Sequence, residues 1–266
     1  MALKLCYAGL VTSKLFVMEY GEEISSPLVA LVHGSLDRSS SFGRVVRHLS
    51  GLHVVAYDRR GYHRSRSQAI ALASSFEDQV DDLFDVLAGR EAVVIGHSYG
   101  ADIALSAAER DPDQIRAVGA WEPPLAWMDY WPDRSSGHRR AVLAGDDPAA
   151  AAEAFFRAAA GDAVWEHLPE RTKAERRAEG AALMAELRAI RDAGPVFDVA
   201  RIKVPVVIGV GSDTVPYQLQ GTSYLASAIE GAELFEIKGA RHGAHLSHPA
   251  QFAEFVRRAV ALAAQR

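Results

Sequence analysis

A few short segments of this chain carry residues whose types and spacing can do chemistry. The first is Gly96-His97-Ser98-Tyr99-Gly100, between an apolar run at 92–95 and a helix-forming run at 101–110. A serine in so sharp a strand-to-helix turn is held in a strained backbone conformation, and glycines flank it because side chains there meet the neighbouring strand and helix. The turn lifts the hydroxyl above the sheet, at a helix N-terminus that favours developing negative charge. Ser98 is therefore the expected nucleophile.

A serine hydroxyl needs a base, and the base needs an orienting group. Gly239-Ala240-Arg241-His242-Gly243 lies late in the chain, past the last apolar run and before the final helical stretch, which makes His242 the expected base. Two carboxylates compete to orient it. Asp213, in Gly211-Ser212-Asp213-Thr214-Val215-Pro216, follows the run at 206–210 and is the first choice. Glu122, in Trp121-Glu122-Pro123-Pro124, follows the run at 117–121 and is the alternative, with a salt bridge to the insertion described below as its structural role. His33-Gly34-Ser35 follows another apolar run, so the backbone N–H of Ser35 can face that of Tyr99. Two donors aimed at developing negative charge typically supply several kcal/mol of transition-state stabilisation. His33 itself is expected to hydrogen-bond within the structure. His242, His245 and His248 raise the question of a metal. Their spacing of three along a loop, with no second ligand cluster in the sequence, argues against one, and His245 and His248 are expected to serve loop hydrogen bonding.

These residues must be positioned by regular elements. Apolar runs at 3–7, 15–20, 28–33, 53–57, 92–96, 117–121, 206–210 and 233–237 read as strands, several of them continuous enough for burial on both faces of a parallel sheet. Phe76, Val80, Leu83, Phe84 and Leu87 form a helical stripe, with Glu77, Asp78, Asp81, Asp82 and Asp85 on the solvated face. Phe252, Phe255, Val256, Ala259 and Ala263 repeat the pattern behind Pro249. Strands alternating with helices predict a doubly wound α/β sheet. The rhythm breaks over residues 123–202, where helical stretches at 148–160 and 172–192 and the aromatics Trp127, Tyr130, Trp131, Phe155, Phe156 and Trp165 predict a helical insertion over one sheet edge. Gly209-Val210-Gly211 lacks the third glycine of a dinucleotide loop.

The order Ser98, Asp213, His242, with His33-Gly34 upstream and Tyr57-Asp58-Arg59-Arg60-Gly61-Tyr62-His63-Arg64-Ser65 between, resembles the α/β-hydrolase superfamily across essentially the whole chain. The resemblance implies an α/β-hydrolase fold: an eight-stranded, mostly parallel sheet flanked by helices, with a helical cap inserted after the sixth strand. The core would comprise residues 1–122 and 203–266 and the cap residues 123–202. It implies a cofactor-free serine hydrolase that cleaves an ester, thioester or related acyl bond through an acyl-enzyme. Ser98, His242 and Asp213 (or Glu122) would form the triad, and Ser35 and Tyr99 the oxyanion hole. The aromatics of the insertion either fasten it to the core or form a lid over an apolar pocket, in which case Trp121, Trp127, Tyr130 and Trp131 receive a small, largely apolar substrate. Haloalkane dehalogenases and epoxide hydrolases of the superfamily use an aspartate nucleophile, and this chain carries Ser98. Cofactor-free haloperoxidases and C–C bond hydrolases share the serine triad, and the fold also serves non-catalytic small-molecule receptors, so those readings stay open. Two departures stand out: His63 replaces a glycine usual in the loop after Asp58, and the segment around Asp213 is irregular.

Composition sets the outer bounds. The chain has 266 residues, 49% hydrophobic and 24% charged, enough for one large core and too aliphatic for a disordered chain. A net charge of −5 speaks against nucleic acid as partner. Arg outnumbers Lys 24 to 5, but Ala is equally inflated at 46 residues, so GC-rich coding accounts for the bias better than phosphate recognition. The single cysteine, Cys6, excludes an intramolecular disulfide framework and is expected to pack in a strand. No secretory signal and no apolar stretch of about 18 residues stand out, so a soluble, cytoplasmic protein with no membrane partner is expected.

Overall fold

The computed structural model describes residues 5–6, 14–21, 27–66, 70–131, 140–141 and 143–265. The strands are β1 (Leu5–Cys6), β2 (Val17–Tyr20), β3 (Leu28–Val32), β4 (Val54–Tyr57), β5 (Ala92–His97), β6 (Ile115–Trp121), β7 (Val206–Gly211) and β8 (Glu233–Ile237). They form one sheet in the order β1-β2-β4-β3-β5-β6-β7-β8. The two pairings made by β2 are antiparallel and the rest are parallel. All eight expected strands are present. The side chain of Cys6, its expected packing included, lies outside the described residues.

The central strands β3, β4, β5 and β7 are buried along their whole length, as their unbroken apolar runs require. Successive residues serve opposite faces. Ala30, Val32, Val94, Val118 and Ile208 pack with helices α1 (Glu77–Leu87) and α2 (Tyr99–Arg110). Val29, Leu31, Val93, Ile95 and Val207 pack on the other side with Phe252, Phe255 and Val256 of the C-terminal helix (Pro249–Ala263). Removing two such faces from water, at about 25 cal/mol per Å² of apolar surface, is the main force holding the layers together.

Between β6 and β7 lie the helices α3 (Pro148–Ala160), α4 (Asp162–His167), α5 (Glu170–Ala178) and α6 (Gly180–Ala193). The Asp147 carboxylate caps α3 by accepting from the N–H groups of Ala149 and Ala150. The expected single helix at 172–192 is instead two. It breaks at Gly180, where a Cβ would lie 1.8 Å from the Pro148 carbonyl oxygen. Phe156 and Trp165 stack 5.4 Å apart inside this insertion, with Arg157 and Arg177 over the indole, so these aromatics bind the insertion to itself. The C-terminal part of the fold comprises α7 (Pro216–Ala228), β8, a helical turn at Ala244–Ser247 and α8 (Pro249–Ala263).

The insertion is fastened to the core by charge. The Arg59 guanidinium, fully buried, donates to Glu186 of α6, to Gln79 and to the carbonyls of His33 and Gly34. It also lies about 5 Å from the ring centroids of Tyr62 and Tyr99. Arg38 reaches Glu175 of α5 at 3.1 Å. Among the described residues no helix is long and apolar enough to cross a membrane.

Candidate active site

Ser98 has φ 55° and ψ −128°, a conformation L-residues rarely adopt. The surroundings enforce it. Ser98 N–H donates to the Trp121 carbonyl and the Ser98 carbonyl accepts from Ala101 N–H. A Cβ on Gly96 would lie 2.1 Å from the Gly100 carbonyl oxygen, and one on Gly100 would lie 2.3 Å from that of Val32. Both glycines of the motif are thus required by contact with backbone. Tyr99 opens α2, so its N–H belongs to the first-turn donors with no helical acceptor. Gly34 packs against the same turn: a Cβ there would meet the Cβ of Ser98 at 2.9 Å.

His242 stands in the loop after β8, and its Nδ1 lies 2.7 Å from Oε2 of Glu122. Glu122 is fully buried at the end of β6 with φ 42°. Its Oε1 accepts from Gly211 N–H and its Oε2 from Thr214 Oγ1. The first-choice carboxylate, Asp213, borders the cavity that holds Ser98 and His242 but makes no hydrogen bond to the His242 ring. Asp213 is exposed, accepts from Ser212 Oγ, and donates its N–H to the Ala240 carbonyl. Nor, among the described residues, does Glu122 make a salt bridge to the insertion, the structural role considered for it. β6 and β7 are neighbours, with Trp121 opposite Gly209, so a carboxylate at either strand end lies close to the loop. The donors from Gly211 and Thr214 fix the buried one against His242.

The backbone of His242 is held as firmly as its ring. Its carbonyl accepts from Trp121 Nε1 at 3.0 Å and from His97 Nε2 at 2.9 Å. These two supports were not legible beforehand, although each sits beside a motif residue. His33 accepts from Arg59 N–H through Nε2 and donates through Nδ1 to the Gly34 carbonyl, as expected of a structural histidine. Burial and the Arg59 charge lower its pKa to about 3, so the ring is neutral at pH 7. His248 bonds Ser247 Oγ. His63 has φ 39°, which explains why glycine suits that place, and it faces Asp58 and Glu179.

A cavity of about 720 Å³ opens above Ser98 and His242, with Ser35 and Tyr99 beside them. Its far wall is apolar: Phe155 and Ala158 of α3, Val164 of α4, and Leu187 and Ile190 of α6. Of the four aromatics expected to line it, only Trp131 does so among the described residues. Trp121 is buried in the core beneath the site, stacked on Phe252 and Phe255. Trp127 packs edge-on against Phe197, and the Tyr130 hydroxyl is buried near Gly221. Trp127 and Tyr130 are half-buried and pack against the core, which leaves side chains of the later helices to shape the wall.

A sequence profile described as the alpha/beta hydrolase family matches residues 29–255. The uncharacterized hydrolase YraK of Bacillus subtilis is 36% identical over 133 residues, 45% of this chain and 49% of that protein. Epoxide hydrolase B of Mycobacterium tuberculosis is 34% identical over 105 residues, 38% of this chain and 30% of that protein. The chain therefore spans half or less of the curated relatives it matches. Among solved structures, the enol-lactonase from Burkholderia xenovorans superposes with a TM-score of 0.72 at 24% identity, covering 93% of this chain and 96% of that one. A 2-hydroxy-6-oxo-6-phenylhexa-2,4-dienoate hydrolase from Rhodococcus superposes at 0.73 with 17% identity, covering 97% and 99%. At these identities the likeness is one of fold. The profile match, spanning the elbow serine, the Glu122 strand end and the His242 loop, makes this chain a member of the alpha/beta hydrolase family.

Proposed function

We propose that the chain is a serine hydrolase cleaving an ester, thioester or related acyl bond of a small, largely apolar substrate. The observation that carries this reading is the strained Ser98 facing one cavity with a His242 whose Nδ1 is tied to a buried carboxylate. Ser98 Oγ attacks the carbonyl carbon as its proton passes to His242 Nε2. The Glu122 carboxylate accepts from Nδ1–H, which keeps Nε2 free as the base and then stabilises the imidazolium. The oxyanion is met by the N–H groups of Ser35 and Tyr99. Collapse breaks the bond to the leaving group, which takes the proton from His242. Water, deprotonated by His242, attacks the acyl-enzyme, and the acid departs as Ser98 regains its proton.

Relatives named epoxide hydrolase and haloalkane dehalogenase do not redirect the reading. A serine at the elbow forms an acyl-enzyme with a carbonyl substrate. The apolar wall from Phe155 to Ile190 supports an acyl or aryl group of modest size, and the insertion carrying it acts as a cap. A panel of short-chain and aryl esters and thioesters tests this. Turnover is expected, falling by about a thousandfold or more in Ser98→Ala. A folded protein that hydrolyses none of the panel, or a Ser98→Ala variant as active as the parent, overturns it.

A further inference from the structure

Beneath the base lies a group of side chains the proposed reaction does not use. Asp37 comes from the turn after β3, His97 ends β5, and His245 stands in the helical turn after His242. One ligand atom from each lies within 4.8 Å of the others. Along the sequence only His242, His245 and His248 suggest a cluster; the fold instead joins His245 to a residue of a distant turn and one at a distant strand end. His97 and His245 are 6% and 1% exposed, with rings 4.3 Å apart. His97 Nε2 faces a carbonyl, that of His242, so it carries the proton and Nδ1 is a bare lone pair. That Nδ1 is buried and has no hydrogen-bond partner. His245 Nε2 lies 3.2 Å from Asp37 Oδ2, and its Nδ1 is buried with no hydrogen-bond partner. Orphaned buried nitrogens of this kind are costly, at about 1–3 kcal/mol each.

We propose that Asp37, His97 and His245 form a binding site for a divalent transition-metal ion of the Zn²⁺ class, set behind the base His242. Two imidazoles and one carboxylate are the borderline donor set that Zn²⁺ and its neighbours take, with a fourth position left for water. An imidazole whose second nitrogen donates to a carbonyl is the arrangement that orients metal-binding histidines, and His97 has it. An ion here clamps the turn after β3 to the His242 loop, because His97 also holds the His242 carbonyl.

The test uses the full chain, stripped with EDTA and dialysed against ZnCl₂ or CoCl₂, with metal content, visible absorption and melting followed together. The expected result is one ion per chain, visible d–d bands of low-coordinate Co²⁺, and a melting temperature that rises with Zn²⁺. His245→Gln and Asp37→Asn are expected to weaken binding by more than about tenfold, the loss that even outer-shell partners cause. No retained ion, or retention undiminished in both variants, overturns the proposal by assigning any binding to surface histidines such as His48 and His248. Should the variants not fold, the Co²⁺ spectrum of the unaltered chain decides: bands support the site and their absence rejects it.

Discussion

Glu122 and His242 meet across 120 residues of sequence, carboxylate to imidazole at 2.7 Å, and the carboxylate comes from the end of β6. The strand after it, β7, supplies Gly211 N–H and the loop residue Thr214 to hold that carboxylate from its far side. Glu122→Gln keeps the shape but exchanges an acceptor for an amide, and is expected to lower kcat by roughly 10²–10⁴-fold, the effect of a wrong imidazole tautomer. Asp213→Asn is expected to stay within about threefold of the parent, since Asp213 is exposed and bonds Ser212. Steady-state kinetics on one ester measures both, and the reverse ranking contradicts the assignment.

The elbow glycines are a steric requirement. Gly96→Ala drives a methyl to 2.1 Å from a carbonyl oxygen and is expected to cost at least about 3 kcal/mol or prevent folding. Gly43→Ala is the control: φ is −57°, no atom lies within 4 Å of the added methyl, and a gain of about 0.4–1 kcal/mol is expected. Denaturant unfolding compares the two.

Arg59 and Glu186 form an ion pair with both side chains wholly buried. Glu186→Leu leaves a guanidinium without its counter-charge and is expected to destabilise by about 3–5 kcal/mol. The double change Arg59→Met with Glu186→Leu is expected to recover much of that loss, because the desolvation cost disappears with the charges. A double-mutant cycle by urea denaturation reads the coupling. Leu187 and Ile190 follow Glu186 on α6 and line the cavity, so KM is expected to rise in Glu186→Leu as well.

Two buried groups give pH dependences of opposite sign. The folded pKa of His33 is about 3, below the ordinary histidine value, so the stability it confers is present above about pH 6.5 and lost as pH falls towards 3. The limiting slope is about 1.4 kcal/mol per pH unit. Asp102 is the reverse case. Burial raises its carboxyl well above the usual range, and neither oxygen has a hydrogen-bond partner, so stability falls as pH rises above the ordinary carboxylate value. Asp102→Asn is therefore expected to raise the melting temperature at pH 8 more than at pH 5. Melting curves across that range check both signs.

The sheet was legible because its strands are buried on both faces, which leaves unbroken runs such as Val93-Val94-Ile95 with little alternative reading. The Ser98 turn was legible because backbone contact dictates glycine on either side. Other features depend on contacts between distant segments. Helix α7 (Pro216–Ala228) has no single apolar stripe and was not anticipated. The break at Gly180 reflects the passing Pro148 backbone. The choice between Glu122 and Asp213 turns on which carboxylate finds the donors from Gly211 and Thr214. Trp121 looked like a pocket residue because it ends a strand beside the site, yet its indole points into the core and reaches the site only through the His242 carbonyl.

The central claim is that Ser98 is an activated nucleophile. Labelling with a fluorophosphonate probe, mapped by mass spectrometry, tests it most directly. The expected result is a single adduct on Ser98, absent in Ser98→Ala and reduced by at least about a hundredfold in rate in His242→Ala. A folded chain that takes up no probe, or one labelled equally fast without His242, contradicts the account.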